Sequence, residues 1–121
     1  MHGLPCGCGN EGCLEQYASV TSMVNNAKKS LSEGVRSSIL DYSNGDIDLV
    51  DSYCLTKAYE NQDKLASRII MDAGVFLGVG ISLIINLLNP PLVIFFGGGG
   101  KDKRINFVTV HTQCHLVKVF I

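Results

Sequence analysis

Cys6, Cys8 and Cys13 lie within eight residues, interleaved with Gly7, Gly9 and Gly12, and Leu14-Glu15 follows at once. Thiolates this close suit a tightly wound metal knuckle, because glycine admits the left-handed turns that aim several sulfurs at one point. Zinc is the expected occupant, since it takes four ligands in a tetrahedron and favours thiolates. A disulfide would leave one of the three sulfurs over, and a Cys-x-Cys bridge is strained. Iron–sulfur clusters normally use four cysteines at other spacings. Reduced structural thiols are the alternative to zinc that stays open. No fourth ligand is evident from the spacing. His2 stands four residues before Cys6. His111, Cys114 and His115 near the end of the chain carry ligand chemistry but are read as no site.

The elements that must hold this cluster follow from apolar spacing. Residues 1–12 read as loop. Leu14, Tyr17, Ala18, Val20, Val24, Ala27 and Leu31 recur near helical spacing, which predicts one helix from Cys13 to about Ser32 with Gly34 as its stop. Ser37 to Asp48, with Asn44-Gly45, reads as an exposed turn. Asp46 or Asp48 is expected to cap a short helix through about Tyr59, and Asn61 or Asp63 to begin a long helix to about Leu88.

Gly74, Gly78 and Gly80 inside that long helix each cost about 1 kcal/mol against alanine, so a close backbone approach is expected there. Asn89-Pro90-Pro91 ends it, because proline disfavours helix in the residue before it. Leu92 to Phe96 then reads as a strand buried on both faces, as in parallel sheets, and Gly97 to Gly100 follow as a loop. Ile105–Val110 and Leu116–Ile121 are expected as a further pair of strands. Helix, short turn, apolar strand and glycine loop together predict an α/β fold.

Composition narrows the function. A chain of 121 residues fits one domain, and a net charge of −1 gives no electrostatic expectation of nucleic acid. Five cysteines and no signal-peptide pattern favour a reducing cytoplasm. The uncharged stretch Gly74–Leu88 has fifteen residues, whereas a membrane span needs about twenty, so a buried helix is expected and no membrane partner.

The segment Pro5-Cys6-Gly-Cys8-Gly9-Asn10-Glu-Gly12-Cys13-Leu14-Glu15 resembles the Cys-x-Cys-Gly-x-x-Gly-Cys-Leu-Glu signature of the ROK family of sugar kinases and repressors. Leu77-Gly-Val-Gly-Ile81, then Asn86 to Ile94 and the glycine run, resemble that family's final helix and strand. The resemblance covers about residues 3–100, with a knuckle at 3–15 and a helix–strand core at 61–100, and leaves 101–121 as a divergent tail. It implies part of an actin-like, hexokinase-like (ribonuclease H-like) ATPase lobe. It further implies Cys6, Cys8 and Cys13 as ligands of a structural zinc, Glu15 as an acceptor for sugar hydroxyls, and Gly98 and Gly99 on the adenosine side.

In an intact member the cofactors would be ATP and Mg²⁺, the partner a sugar substrate or effector, and a homo-oligomer is compatible with the family. Several family features have no counterpart here. The histidine ligand about ten residues before the first cysteine, the amino-terminal Asp-x-Gly, the catalytic Gly-Asn-Asp and the Gly-Thr-Gly phosphate loop are all unmatched. No residue is therefore assigned a catalytic role. The chain is expected to be the carboxyl-terminal part of a ROK sugar kinase, inactive alone, or of the sugar-sensing domain of a ROK repressor. In either parent Glu15 is expected in the first turn of its helix, where the helix dipole favours a carboxylate.

Overall fold

A computed structural model describes residues 3–95 and 108–111. The helix expected from Cys13 is two helices: α1 is a single turn, Glu15–Ala18, and α2 runs Val20–Ser32. Ser19 divides them. Its backbone is extended and its hydroxyl accepts the Ser22 N–H at 3.1 Å, so the serine caps a new helix instead of continuing the old one. Gly34 ends α2 as expected. Its φ of +87° lets its N–H reach Leu31 O at 3.0 Å while Val35 N–H reaches Ser30 O at 3.1 Å, a Schellman closure.

The polar stretch after Ser37 is no exposed turn. Ser38–Ser43 form a 3-10 helix whose Ile39 is completely buried, and burial of that side chain outweighs the polar character of its neighbours. Asn44-Gly45 does make the turn, both with positive φ. Asp46 caps only the local loop, accepting Asp48 N–H at 2.9 Å. The cap of the next helix, α3 at Ser52–Glu60, is Asp51, which accepts Cys54 N–H at 3.0 Å.

Asp63 begins the long helix α4, Lys64–Leu88, and holds more than a cap usually does. Its carboxylate accepts Leu65 N–H at 2.9 Å and Ala66 N–H at 3.0 Å, and also the N–H and hydroxyl of Ser38 and the hydroxyl of Ser37. The start of α4 is thereby tied to the 3-10 helix. Leu65, Ala66 and Ile69 join Leu31, Ile39, Val50, Leu55 and their neighbours from α2 and α3 in one core.

Beyond Asp72 the helix is differently placed. Ala73 and Ile81 are buried, but Val75, Val79, Leu83, Leu87 and Leu88 are largely exposed. Because α4 begins ten residues before Gly74, it is long and apolar enough to cross a membrane by length and composition, so length alone does not exclude a span. Of the interior glycines, Gly80 has a close neighbour, but it is a side chain rather than the expected backbone: an added Cβ would lie 2.6 Å from Leu14 Cδ2. Gly78 has nothing within 4 Å of such a Cβ.

Asn89, in the left-handed region at φ 41°, ends α4 before Pro90. Strand β1, Leu92–Phe95, pairs antiparallel with β2, Val108–His111, with Leu92 opposite His111 and Phe95 opposite Val108. The expected parallel environment is thus not what the described residues give β1. An antiparallel partner needs only a loop between the strands, whereas a parallel one needs a crossover of a dozen residues or more, usually helical. β2 overlaps the strand expected at 105–110. Phe96, Gly97–Gly100 and Leu116–Ile121 lie outside the described residues.

Candidate metal centre

The cysteine loop is built by backbone hydrogen bonds rather than by a core. Pro5 and Glu11 pair as an antiparallel bridge, and Gly12 N–H donates to Leu4 O at 2.9 Å. Inside it, Cys6 N–H donates to Asn10 O at 2.8 Å and Gly9 N–H to Cys6 O at 3.0 Å. Gly9 turns with φ +89° and Gly12 with φ +75°, a region closed to most side chains. Gly3 is needed for a different reason: a Cβ on it would lie 2.3 Å from Gly12 Cα.

This loop brings the three predicted sulfurs together. The Sγ atoms of Cys6, Cys8 and Cys13 all lie within 4.8 Å of one another, with Cys8 and Cys13 3.5 Å apart. Zinc–sulfur bonds of about 2.3 Å in a tetrahedron set sulfurs about 3.8 Å apart, so three corners of a zinc site fit with small adjustments. Among the described residues no further His, Cys, Asp or Glu joins the three. His2, Cys114 and His115 lie outside the described residues, and His111 falls in β2.

The sulfurs differ in their hold on a proton. Hydrogen bonds from the Cys8 backbone and side chain, then from Cys13, favour the Cys6 thiolate and bring its pKa below the usual thiol value. Cys13 is pushed up to about 11, first by its hydrogen bond with Cys8, then by that with Cys6 and by burial. Of these two, Cys6 therefore gives up its proton more readily than Cys13. Coordination requires thiolates, so metal uptake displaces the remaining protons.

Glu15 opens α1 immediately after the loop, and its side chain is exposed. The expected aid from a long helix dipole is absent, because α1 has one turn of aligned peptides and Ser19 separates it from α2. What fixes Glu15 is the turn's attachment on both sides. Gln16 N–H donates to Cys13 O at 2.9 Å, and the Gln16 carboxamide donates to Cys6 Sγ at 3.6 Å. Tyr17 Oη accepts Leu4 N–H at 2.8 Å while its ring packs on Phe76 of α4, centroids 4.8 Å apart.

Sequence reasoning missed Gln16 and Tyr17 as parts of the centre. The i, i+3, i+4 face of Leu14, Tyr17 and Ala18 was the available signal for Tyr17; nothing in the spacing signalled Gln16. Behind α1, a small apolar groove of about 150 Å³ lies against α4, lined by Ala18, Met23, Ile70, Leu77 and Ile81. Gly98 and Gly99 lie outside the described residues.

The sequence model of the ROK family matches residues 1–119. The chain belongs to the ROK family. It is 33% identical over 117 residues to a glucokinase of Halalkalibacterium halodurans, covering 93% of this chain and 34% of the relative. It is 36% identical over 109 residues to the DNA-binding transcriptional repressor Mlc of Escherichia coli strain K12, covering 90% and 25%. Its backbone is similar to that of a ROK family glucokinase from Streptomyces griseus in complex with glucose and AMPPNP: TM-score 0.66, 28% identity, 74% of this chain and 30% of that one. The chain thus spans about a quarter to a third of the length of these relatives. Glucokinases and repressors of the ROK family alike carry the segment.

Proposed function

We propose that this chain supplies the zinc-stiffened, sugar-facing part of a ROK sugar kinase, in which Cys6, Cys8 and Cys13 hold a structural zinc and Glu15 accepts hydrogen bonds from sugar hydroxyls. The observation that carries the reading is the convergence of three sulfurs within 4.8 Å, directly before the exposed Glu15, in a chain 33% identical to a glucokinase. Zinc would cross-link the loop and fix the start of α1. An ionised carboxylate is acceptor-only and matches the donors of a sugar hydroxyl pair.

The rest of the proposal concerns the longer domain. Residues 1–100 would form part of one lobe of an actin-like ATPase, and the family match runs on to residue 119, so 101–121 would be a more divergent continuation of the same domain. Gly98 and Gly99 would lie toward the adenosine of ATP, with Mg²⁺ on its phosphates. The exposed apolar row on α4 would then be covered by the remaining two-thirds of such a domain, which this chain does not supply. No catalytic base is assigned here. Sugar and nucleotide are the proposed partners and the cytoplasm the proposed location, with no nucleic acid or membrane contact through this segment. Identity of 36% to Mlc supports a second reading, the sugar-sensing domain of a ROK repressor, which uses the same centre and Glu15.

The test uses a full-length ROK glucokinase in which this segment replaces its counterpart. Glu15→Gln keeps the size but loses charge-assisted hydrogen bonds worth roughly 1.5–3 kcal/mol each. Since about 1.4 kcal/mol is tenfold in affinity, the glucose Kd is expected to rise at least tenfold with nucleotide affinity unchanged. An unchanged glucose Kd would make Glu15 an ordinary helix-start glutamate.

A further inference from the structure

Cys8 and Cys13 position each other, their sulfurs 3.5 Å apart. Cys6 is the first ligand of the cluster and lies in the opposite limb of the loop. Within the loop its backbone is tied to Asn10, and its sulfur takes hydrogen bonds from the Cys8 backbone and side chain and from Cys13. The group that reaches its sulfur from outside the loop is the carboxamide of Gln16, at 3.6 Å. The same residue's backbone N–H is bonded to Cys13 O at 2.9 Å. One half-buried residue therefore grips the first and the last cysteine of the cluster together.

We propose that Gln16 is a positioning residue of the metal centre: its carboxamide N–H donates to Cys6 Sγ and keeps that sulfur aimed at the point where the three sulfurs converge. The inference rests on the metal reading given above. A coordinated thiolate retains lone pairs that accept N–H donors, and outer-shell donors of this kind fix ligand orientation and add to metal affinity. The orientation of the carboxamide follows the network, since its oxygen would repel a thiolate at that place. Glu15 and Gln16 are neighbours on one helical turn. Fixing Gln16 on the cluster thus also sets the azimuth of Glu15, about 100° away around the axis.

The proposal is tested on the full 121-residue chain with zinc and cobalt as probes. Zinc affinity is measured by chelator competition for wild type, Gln16→Leu, Gln16→Asn and Gln16→Lys, with cobalt spectra and metal-free melting curves alongside. Leucine fills similar space without a donor, and asparagine keeps the amide one methylene too short. Both are expected to lower zinc affinity about 10–100-fold and to shift the thiolate-to-cobalt band, with metal-free melting unchanged. Lysine keeps a donor at similar reach and is expected to stay within about threefold of wild type. A purely packing role would reverse the order, tolerating leucine and penalising lysine, and would overturn the proposal. Wild-type affinity in both Gln16→Leu and Gln16→Asn would overturn it equally. Failure of the wild-type chain to bind either metal would instead overturn the metal reading, and this inference with it.

Discussion

Gly80→Ala probes the contact that ties the cysteine loop to the long helix. Two effects oppose each other. Alanine in a helix interior is favoured over glycine by about 1 kcal/mol. Against that, the new Cβ would stand 2.6 Å from Leu14 Cδ2 and 3.6 Å from Cδ1, so Leu14 must move. Leu14 is 40% exposed and has room to swing outward, but it then gives up the burial of the rest of its side chain. Full burial of a leucine is worth about 1.5–3 kcal/mol, so the part at stake is roughly 1–2 kcal/mol.

Gly80→Ala is therefore expected to be neutral or destabilising by up to about 1 kcal/mol. Gly78→Ala is the control. Nothing lies within 4 Å of its new Cβ, and it should stabilise by about 1 kcal/mol. Urea unfolding of the two variants should differ by about 1–2 kcal/mol, or several degrees in Tm for a chain of this size. Leu14 also stands at the N-cap position of α1, so Gly80→Ala should weaken zinc binding while Gly78→Ala does not. Equal stabilisation by both variants, with equal zinc affinity, would refute the packing of Leu14 on Gly80.

Asp63→Ala should cost about 2–4 kcal/mol in urea unfolding, since it removes the cap of α4 and strands the Ser38 N–H beside it. Burial raises the Asp63 pKa, but hydrogen bonds from Ala66, Ser38 and Ser37 outweigh it and hold the carboxyl below its ordinary 3.8. This contribution is present in full above the unfolded value and lost as pH falls through the folded one, so Asp63→Asn should flatten the acid limb of the stability curve. Zinc affinity should rise at least tenfold per pH unit near neutrality, because binding must displace the proton of Cys13, whose pKa is about 11; a pH-independent Kd would contradict thiolate ligation by Cys13.

The sequence was most informative where one residue type decides the local geometry. Gly34 and Asn44-Gly45 take positive φ and Pro90 closes α4, so these boundaries could be read directly, while the start of α4 could be narrowed to Asn61 or Asp63, of which Asp63 is the cap. The convergence of Cys6, Cys8 and Cys13 was legible because the interleaved glycines leave the loop few other courses. Where two local preferences compete, tertiary structure decided. Ser19 could continue a helix or cap one, and it caps α2. Ser37 to Asp48 is polar on average, yet Ile39 draws it into the core. Strand direction was not legible, because an apolar run such as Leu92–Phe95 is compatible with either partner. Gln16 was not legible because a glutamine beside a motif has no spacing signature; only the distance to Cys6 Sγ distinguishes it.

The metal centre is the claim on which the sugar-facing role of Glu15 depends. Zinc-edge X-ray absorption of the purified chain, refolded with zinc, counts the sulfur atoms around the metal. One zinc per chain with three sulfurs at about 2.3 Å is expected, falling to two sulfurs or to loss of metal in Cys8→Ser. Zinc surrounded by nitrogen and oxygen alone, or equal zinc content in wild type and Cys8→Ser, would contradict the account.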